Sequence, residues 1–269
     1  MTRATMKKAL IFGLVFSSVV LGANATLGAT QTIDHFTQGF TPPDALTYFD
    51  DGFTTPLPLP PQAQTGLSSV LGGARNTVFE ILDPGSTIGG DITILEITSG
   101  GLDLSVNGPE GNRTSTTVTW NGGGGVSGLG ANGNFSAFDR FRLNANRFAL
   151  NAGGSTNVGT ITLRARNSSV APYASFSQTL GEISSATPID FLFSSPNFSG
   201  VSFNSIYDIQ LEVTSNNPGL LFTFDDLEAF SPTTPPPVPE PSLALGCLLL
   251  GGTQFAITGW KRYKNSRKN

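Results

Sequence analysis

Short runs in which apolar and polar residues alternate recur along the middle of the chain, separated by Gly, Asn, Pro and Ser. In residues 160–166, Ile161, Leu163 and Ala165 fall on one face. Ile209, Leu211 and Val213 do the same, with Gln210 and Glu212 opposite. A period of two with one polar face predicts half-buried antiparallel strands. Strands are expected at 77–82, 91–98, 102–106, 115–120, 140–143, 159–166, 174–180, 189–193, 207–214 and 221–230. Helical patterns are scarce. The regular spacing predicts an all-β, antiparallel β-sandwich that is jelly-roll-like. The proline-rich stretch 50–61 reads as an extended arm, and residues 121–134 as a long flexible loop.

Both ends break this pattern. Arg3, Lys7 and Lys8 precede an apolar run over 9–21, and small residues follow at Ala23-Asn24-Ala25. That order predicts a secretory signal peptide over 1–25, cut after Ala25 by signal peptidase. At the other end, residues 241–260 carry no charge. As a helix they would span about 30 Å, one hydrocarbon core. Trp260 and Tyr263 stand where interface anchors are expected, and Lys261, Arg262, Lys264, Arg267 and Lys268 form a basic tail. The basic end is expected to stay cytoplasmic. Pro232, Pro235, Pro236, Pro237, Pro239 and Pro241 make a stiff stalk, so the folded domain should end near Phe230. The expected order is a signal peptide (1–25), a sandwich ectodomain (26–231) and a stalk (232–241). A transmembrane helix (242–260) and a basic tail (261–269) follow.

The stalk ends in Val238-Pro239-Glu240-Pro241-Ser242. With the apolar span and basic tail, this ending resembles the PEP-CTERM sorting signal of exported bacterial proteins. The resemblance covers about the last tenth of the chain. It implies an exosortase that processes the chain near Glu240. It also implies an association with exopolysaccharide, at the cell surface or outside the cell. The middle of the chain resembles a group of exported bacterial jelly-roll proteins. That resemblance is carried by Val70-Leu71-Gly72-Gly73-Ala74-Arg75, by Gly128-Leu129-Gly130 and by Phe222-Thr223-Phe224-Asp225-Asp226-Leu227. No catalytic motif defines that group.

Charge narrows the partners. All five lysines lie in the two end segments, and residues 26–237 hold seven arginines and eighteen Asp/Glu, a net of −11. Such a domain repels nucleic acid. The single cysteine, Cys247, lies in the apolar span, so the ectodomain has no disulfide and no thiol nucleophile. His35 is the only histidine and no G-x-S-x-G elbow is present, which excludes a Ser-His-Asp triad. One histidine also cannot furnish the usual zinc ligand set. The glycine run at 122–125 lacks a following Lys-Ser/Thr, so it is not a phosphate loop. A glycosidase would need two carboxyl groups facing across a cleft, with Glu80, Glu96, Asp139, Asp208 and Glu212 as candidates.

Two binding readings remain. Asp225 and Asp226 sit in the expected last strand, one pointing in and one out. Together with Asp34, or with Asp50 or Asp51, they are the candidate ligands of a structural calcium ion, the one cofactor considered. Among the aromatic residues outside the ends, Trp120, Tyr48, Tyr173 and Tyr207 are the ones able to stack on a sugar, and Trp120 is the first choice. The reading is a non-enzymatic, exported surface or matrix protein. The alternative is a carbohydrate-binding module.

Overall fold

The alternating segments pair as expected, and three strands without a clear pattern join them. The structure, a computed structural model, describes residues 28–40, 45–49, 59–83, 92–98, 101–107, 112–123, 128–153 and 155–232. The expected signal peptide, the motif Val238 to Ser242, the transmembrane span and the basic tail lie outside the described residues. So do Asp50 and Asp51. No described helix is long and apolar enough to cross a membrane.

Among the described residues, thirteen strands form two antiparallel sheets. The first sheet takes β2 (Ala45–Phe49), β5 (Ile92–Thr98), β6 (Gly101–Asn107), β8 (Arg140–Leu150), β11 (Thr187–Leu192) and β13 (Leu220–Ser231). Their spatial order is β11-β8-β13-β6-β5-β2, and β1 (Ala29–Asp34) also pairs with β13. The second sheet takes β3 (Gln62–Thr65), β4 (Ala74–Asp83), β7 (Arg113–Trp120), β9 (Gly159–Arg166), β10 (Ala174–Leu180) and β12 (Asp208–Ser215). Its order is β10-β9-β12-β7-β4-β3. Residues Gly28–Thr233 make one compact unit.

Period two places the core. Ile161, Leu163 and Ala165 on β9 and Ile209, Leu211 and Val213 on β12 are all buried, while Gln210 and Glu212 are only partly so. They meet Phe141, Leu143, Phe222, Phe224 and Leu227 from the facing sheet. Most of the phenylalanines go to this interior, where their rings pack on each other, as in Phe135–Phe141 at 5.2 Å and Phe193–Phe203 at 3.8 Å between centroids. Burial of these rings is the main favourable term for a domain that has no disulfide.

β13 is the hub. It pairs with β8 along nearly its whole length. On its other edge, Phe222, Thr223 and Phe224 pair with β6, and Leu227 to Ser231 pair with β1. The chain therefore enters the sandwich at Ala29 and leaves it at Ser231, which face each other in register. We call this the exit end. β8 starts there and β11 finishes there, because Arg140 pairs with both Phe230 and Leu192.

The expected flexible loop at 121–134 is corrected in its described second half. Leu129 is buried, its N–H donates to the Tyr207 carbonyl at 2.8 Å, and the Ile206 N–H donates to the Gly133 carbonyl at 2.8 Å. Gly128 has a left-handed φ of +55°, and a Cβ there would collide with the Tyr207 carbonyl oxygen. Gly122, Gly128 and Gly133 each serve a close backbone approach.

Candidate functional site

Asp34 ends β1 with its side chain pointing between the sheets, where it is fully buried. An unpaired carboxylate there would be prohibitively costly, so its oxygens must be filled. Arg75 on β4 supplies Nη1 to both oxygens at 3.1 and 3.0 Å. Trp120 Nε1 donates to Oδ2 at 3.0 Å, and the Phe36 N–H donates to Oδ1 at 2.7 Å. That last bond holds Phe36 in a left-handed conformation, φ +49°. Arg75 is completed by Gln64 Oε1 at 2.8 Å and by the Gln38 carbonyl. Gln64 in turn donates to the Gly39 carbonyl at 2.5 Å. The cluster ties β1 of one sheet to β3, β4 and β7 of the other.

This arrangement overturns two readings. Trp120 is not a stacking platform: it is fully buried, with Phe36 at 6.2 Å between centroids and its N–H spent on Asp34. Asp34 is not a calcium ligand, since Arg75, Trp120 and the Phe36 amide already occupy its oxygens. The three segments that carried the family resemblance converge here. Val70 bridges to Asp34, Leu227 pairs with Asp34, and a Cβ on Gly72 would press on Gly122 and Leu129. Their role in this fold is structural.

Asp225 and Asp226 do not alternate. The register shifts between Phe224 and Asp226, so both side chains emerge on the outer, half-exposed face. A β-bulge does this by inserting one extra residue in the strand. Each carboxylate accepts from a carboxamide on β8: Asp226 from Asn144 and Asp225 from Asn146, both at 2.5 Å. Among the described residues no group of three His, Cys, Asp or Glu is placed to hold a metal. The structure thus does not bring Asp34, Asp225 and Asp226 into one site.

A different site forms at the exit end, where β9 finishes and β10 and β12 begin. Arg166, the last residue of β9, donates Nε and Nη2 to the buried carboxylate of Asp208 at 2.7–3.1 Å. Nη1 donates to the Ser169 carbonyl at 2.8 Å. The planar guanidinium is thereby fixed against two aromatic rings, 4.4 Å from the Tyr173 centroid and 5.7 Å from that of Tyr207. Tyr173 is half-exposed and lines a cleft of about 450 Å³. The rim comes from Ser175 on one side and Asn197 and Ser199 on the other. Asn167 sets the far loop by donating to the carbonyls of Ser202 and Ser205 at 2.6 and 2.8 Å. Phe198, buried between the two polar rim residues, stacks on Phe176 at 6.0 Å and holds the rim to β10.

The electrostatics are local. Burial, followed by the charge of Asp208, pushes the Tyr173 phenol up to about 12, so it stays a neutral donor. The hydrogen bond to Asp208 raises the Arg166 pKa further. Half-exposed aromatic surface beside hydroxyl and carboxamide groups can stack on and hydrogen-bond to a sugar ring. Tyr173 was one of the sequence candidates, although Trp120 ranked above it. Arg166 was hidden because its role depends on two rings and a carboxylate from other segments.

The fold and site thus define an antiparallel two-sheet sandwich with an aromatic cleft at one end. No protein-family model matches the chain, and no curated protein matches it. Among solved structures it is similar to a family 11 carbohydrate-binding module from Clostridium thermocellum in complex with a β-1,3-1,4-mixed-linked tetrasaccharide. The identity is 14%, the match covers 76% of this chain and 96% of that one, and the TM-score is 0.36. It is also similar to a family 61 module in complex with β-1,4-galactotriose, at 10% identity, 72% and 91% coverage and a TM-score of 0.25. Scores this low carry no ligand over to this chain.

Proposed function

We propose that this chain is an exported, non-catalytic surface protein whose sandwich attaches to polysaccharide through the Tyr173 cleft. The single observation that carries this reading is the half-exposed Tyr173 ring, fixed by Arg166 beside a rim of hydroxyl and carboxamide groups. Among the described residues the cleft lining contains no carboxylate, whereas glycoside cleavage needs two. Several of the carboxylates that sequence offered for catalysis are committed to arginines: Asp139 to Arg140, Asp208 to Arg166, and Glu212 to Arg164. The finer jelly-roll reading is supported by the way the chain crosses between sheets after β2, β4, β6, β7, β8, β10, β11 and β12.

In this reading residues 1–25 are a signal peptide, and the C-terminal Pro-Glu-Pro segment, apolar span and basic tail form a PEP-CTERM-type address. The arrangement of charges at the two ends supports it. The protein is held in the membrane by residues 242–260 and then processed near Glu240 by an exosortase.

A glycan array probed with the mature chain tests the attachment. Binding that is lost in Tyr173→Ala, with the melting temperature unchanged, is the expected result. An array without any glycan signal would refute it. The address is tested by mass spectrometry of the mature C-terminus. A chain that still ends at Asn269 would mean a permanent anchor.

A further inference from the structure

We infer that the Tyr173 cleft takes an uncharged saccharide and rejects acidic polysaccharides, an inference that rests on the attachment reading above. The charged groups around the ring are few and each is matched. Arg166 is the only charged residue among the described residues that line the cleft, and three of its N–H contacts go to Asp208. Asp208 is itself buried, so this pair presents no net charge to a ligand. Arg164, the next arginine along β9, is paired with Glu212 and donates to Gln210 Oε1 at 2.9 Å.

The remaining polar groups at the cleft mouth are neutral: the Ser175 and Ser199 hydroxyls, the Asn197 carboxamide and the Tyr173 phenol. The Asn197 side chain has no hydrogen-bond partner within the described residues, so it is available to a ligand's hydroxyl groups. A carboxylate or sulfate ester would find no free cation here. It would also approach through the field of a domain whose residues 26–237 carry a net charge of −11. Hydroxyl groups, in contrast, both donate and accept, as the serine and carboxamide rim requires.

The experiment is affinity electrophoresis and calorimetry of the full chain in detergent against two panels, at low and at physiological salt. One panel holds neutral glucan, galactan and mannan, and the other a polyuronate and a sulfated galactan. The expected result is binding to a neutral glycan that changes less than about twofold with salt, because no ion pair is screened. Tyr173→Ala should weaken it about tenfold, the loss of one aromatic contact. Asn197→Ala, an exposed rim change that leaves the core intact, should weaken it in the same direction. Binding of the polyuronate with a steep salt dependence and loss in Tyr173→Ala would overturn this inference while leaving the attachment reading standing. Binding of neither panel would overturn both.

Discussion

Replacing Asp34 by Asn tests the buried cluster around Arg75 most directly. The change keeps size and one acceptor oxygen, so one of the two bonds, from Trp120 Nε1 to Oδ2 or from the Phe36 amide to Oδ1, can survive. It removes the charge that faces Arg75. Both side chains of this pair are fully buried, so the guanidinium would be left uncompensated. Breaking a buried pair from one side costs about 3–5 kcal/mol. For a unit spanning Gly28–Thr233, each kcal/mol shifts the melting temperature by about 2–4 °C, so the expected drop is on the order of 6–20 °C. Asp139→Asn is the control. Its pair with Arg140 is 47% exposed on the carboxylate side, and such pairs contribute only about 0–1 kcal/mol. The readout is thermal unfolding followed by circular dichroism, with reversibility checked. The double variant Asp34→Asn with Arg75→Met should recover at least half of the loss, since the stranded cation is what costs. The reasoning fails if Asp34→Asn and Asp139→Asn melt together, or if the double variant is no better than the single.

Three further outcomes follow from the same structure. Glu228 is pushed up by burial and then by the like charge of Asp226, against the pull of Arg142, so its ionisation penalises the fold as pH rises above 4.5. Glu228→Gln should therefore raise the melting temperature at pH 7 and leave it unchanged at pH 3. An equal effect at both pH values would contradict this. At Asp190, burial pushes the carboxyl up, but hydrogen bonds from Arg142 and Arg140 outweigh it and the net direction is down. Its stabilising contribution is present above pH 3.8 and is lost as pH falls through its lower folded value, so the advantage of the natural chain over Asp190→Asn should shrink in acid. Gly128→Ala combines an unfavourable left-handed φ with a collision at the Tyr207 carbonyl, and should destabilise by about 2 kcal/mol or more in a denaturant titration.

Ten of the thirteen strands were legible because apolar residues alternate within them. β1, β2 and β3 were not. β1 buries only Ile33 and Asp34 of its six residues, and β3 reads Gln-Ala-Gln-Thr, with nothing apolar beyond one alanine. β8 was expected to stop at Leu143, although Asn144, Ala145 and Asn146 continue the alternation and only Arg147 interrupts it. In the fold it continues to Leu150, with Asn146 and Arg147 both turned outward. Local pattern could not foresee this, because bulged strands are set by what their neighbours require. The inward charge of Asp34 was equally invisible: its partner Arg75 is 41 residues away and Trp120 is 86. Tyr173 was visible as an aromatic residue, yet its value comes from Arg166, Asp208 and the Asn197 loop, which meet only once both sheets have formed.

The register of Ala29 against Ser231 has a consequence for engineering the domain. Adjacent strand ends mean that two or three residues would suffice to join them. The sandwich is thus suited to circular permutation, with new ends opened at a turn such as Gly219 far from the cleft, or to insertion into a surface loop of a host protein. On insertion through Ala29 and Ser231 the cleft would lie at the same end as the junction, so the host's own surface would become one wall of whatever space the ligand must enter.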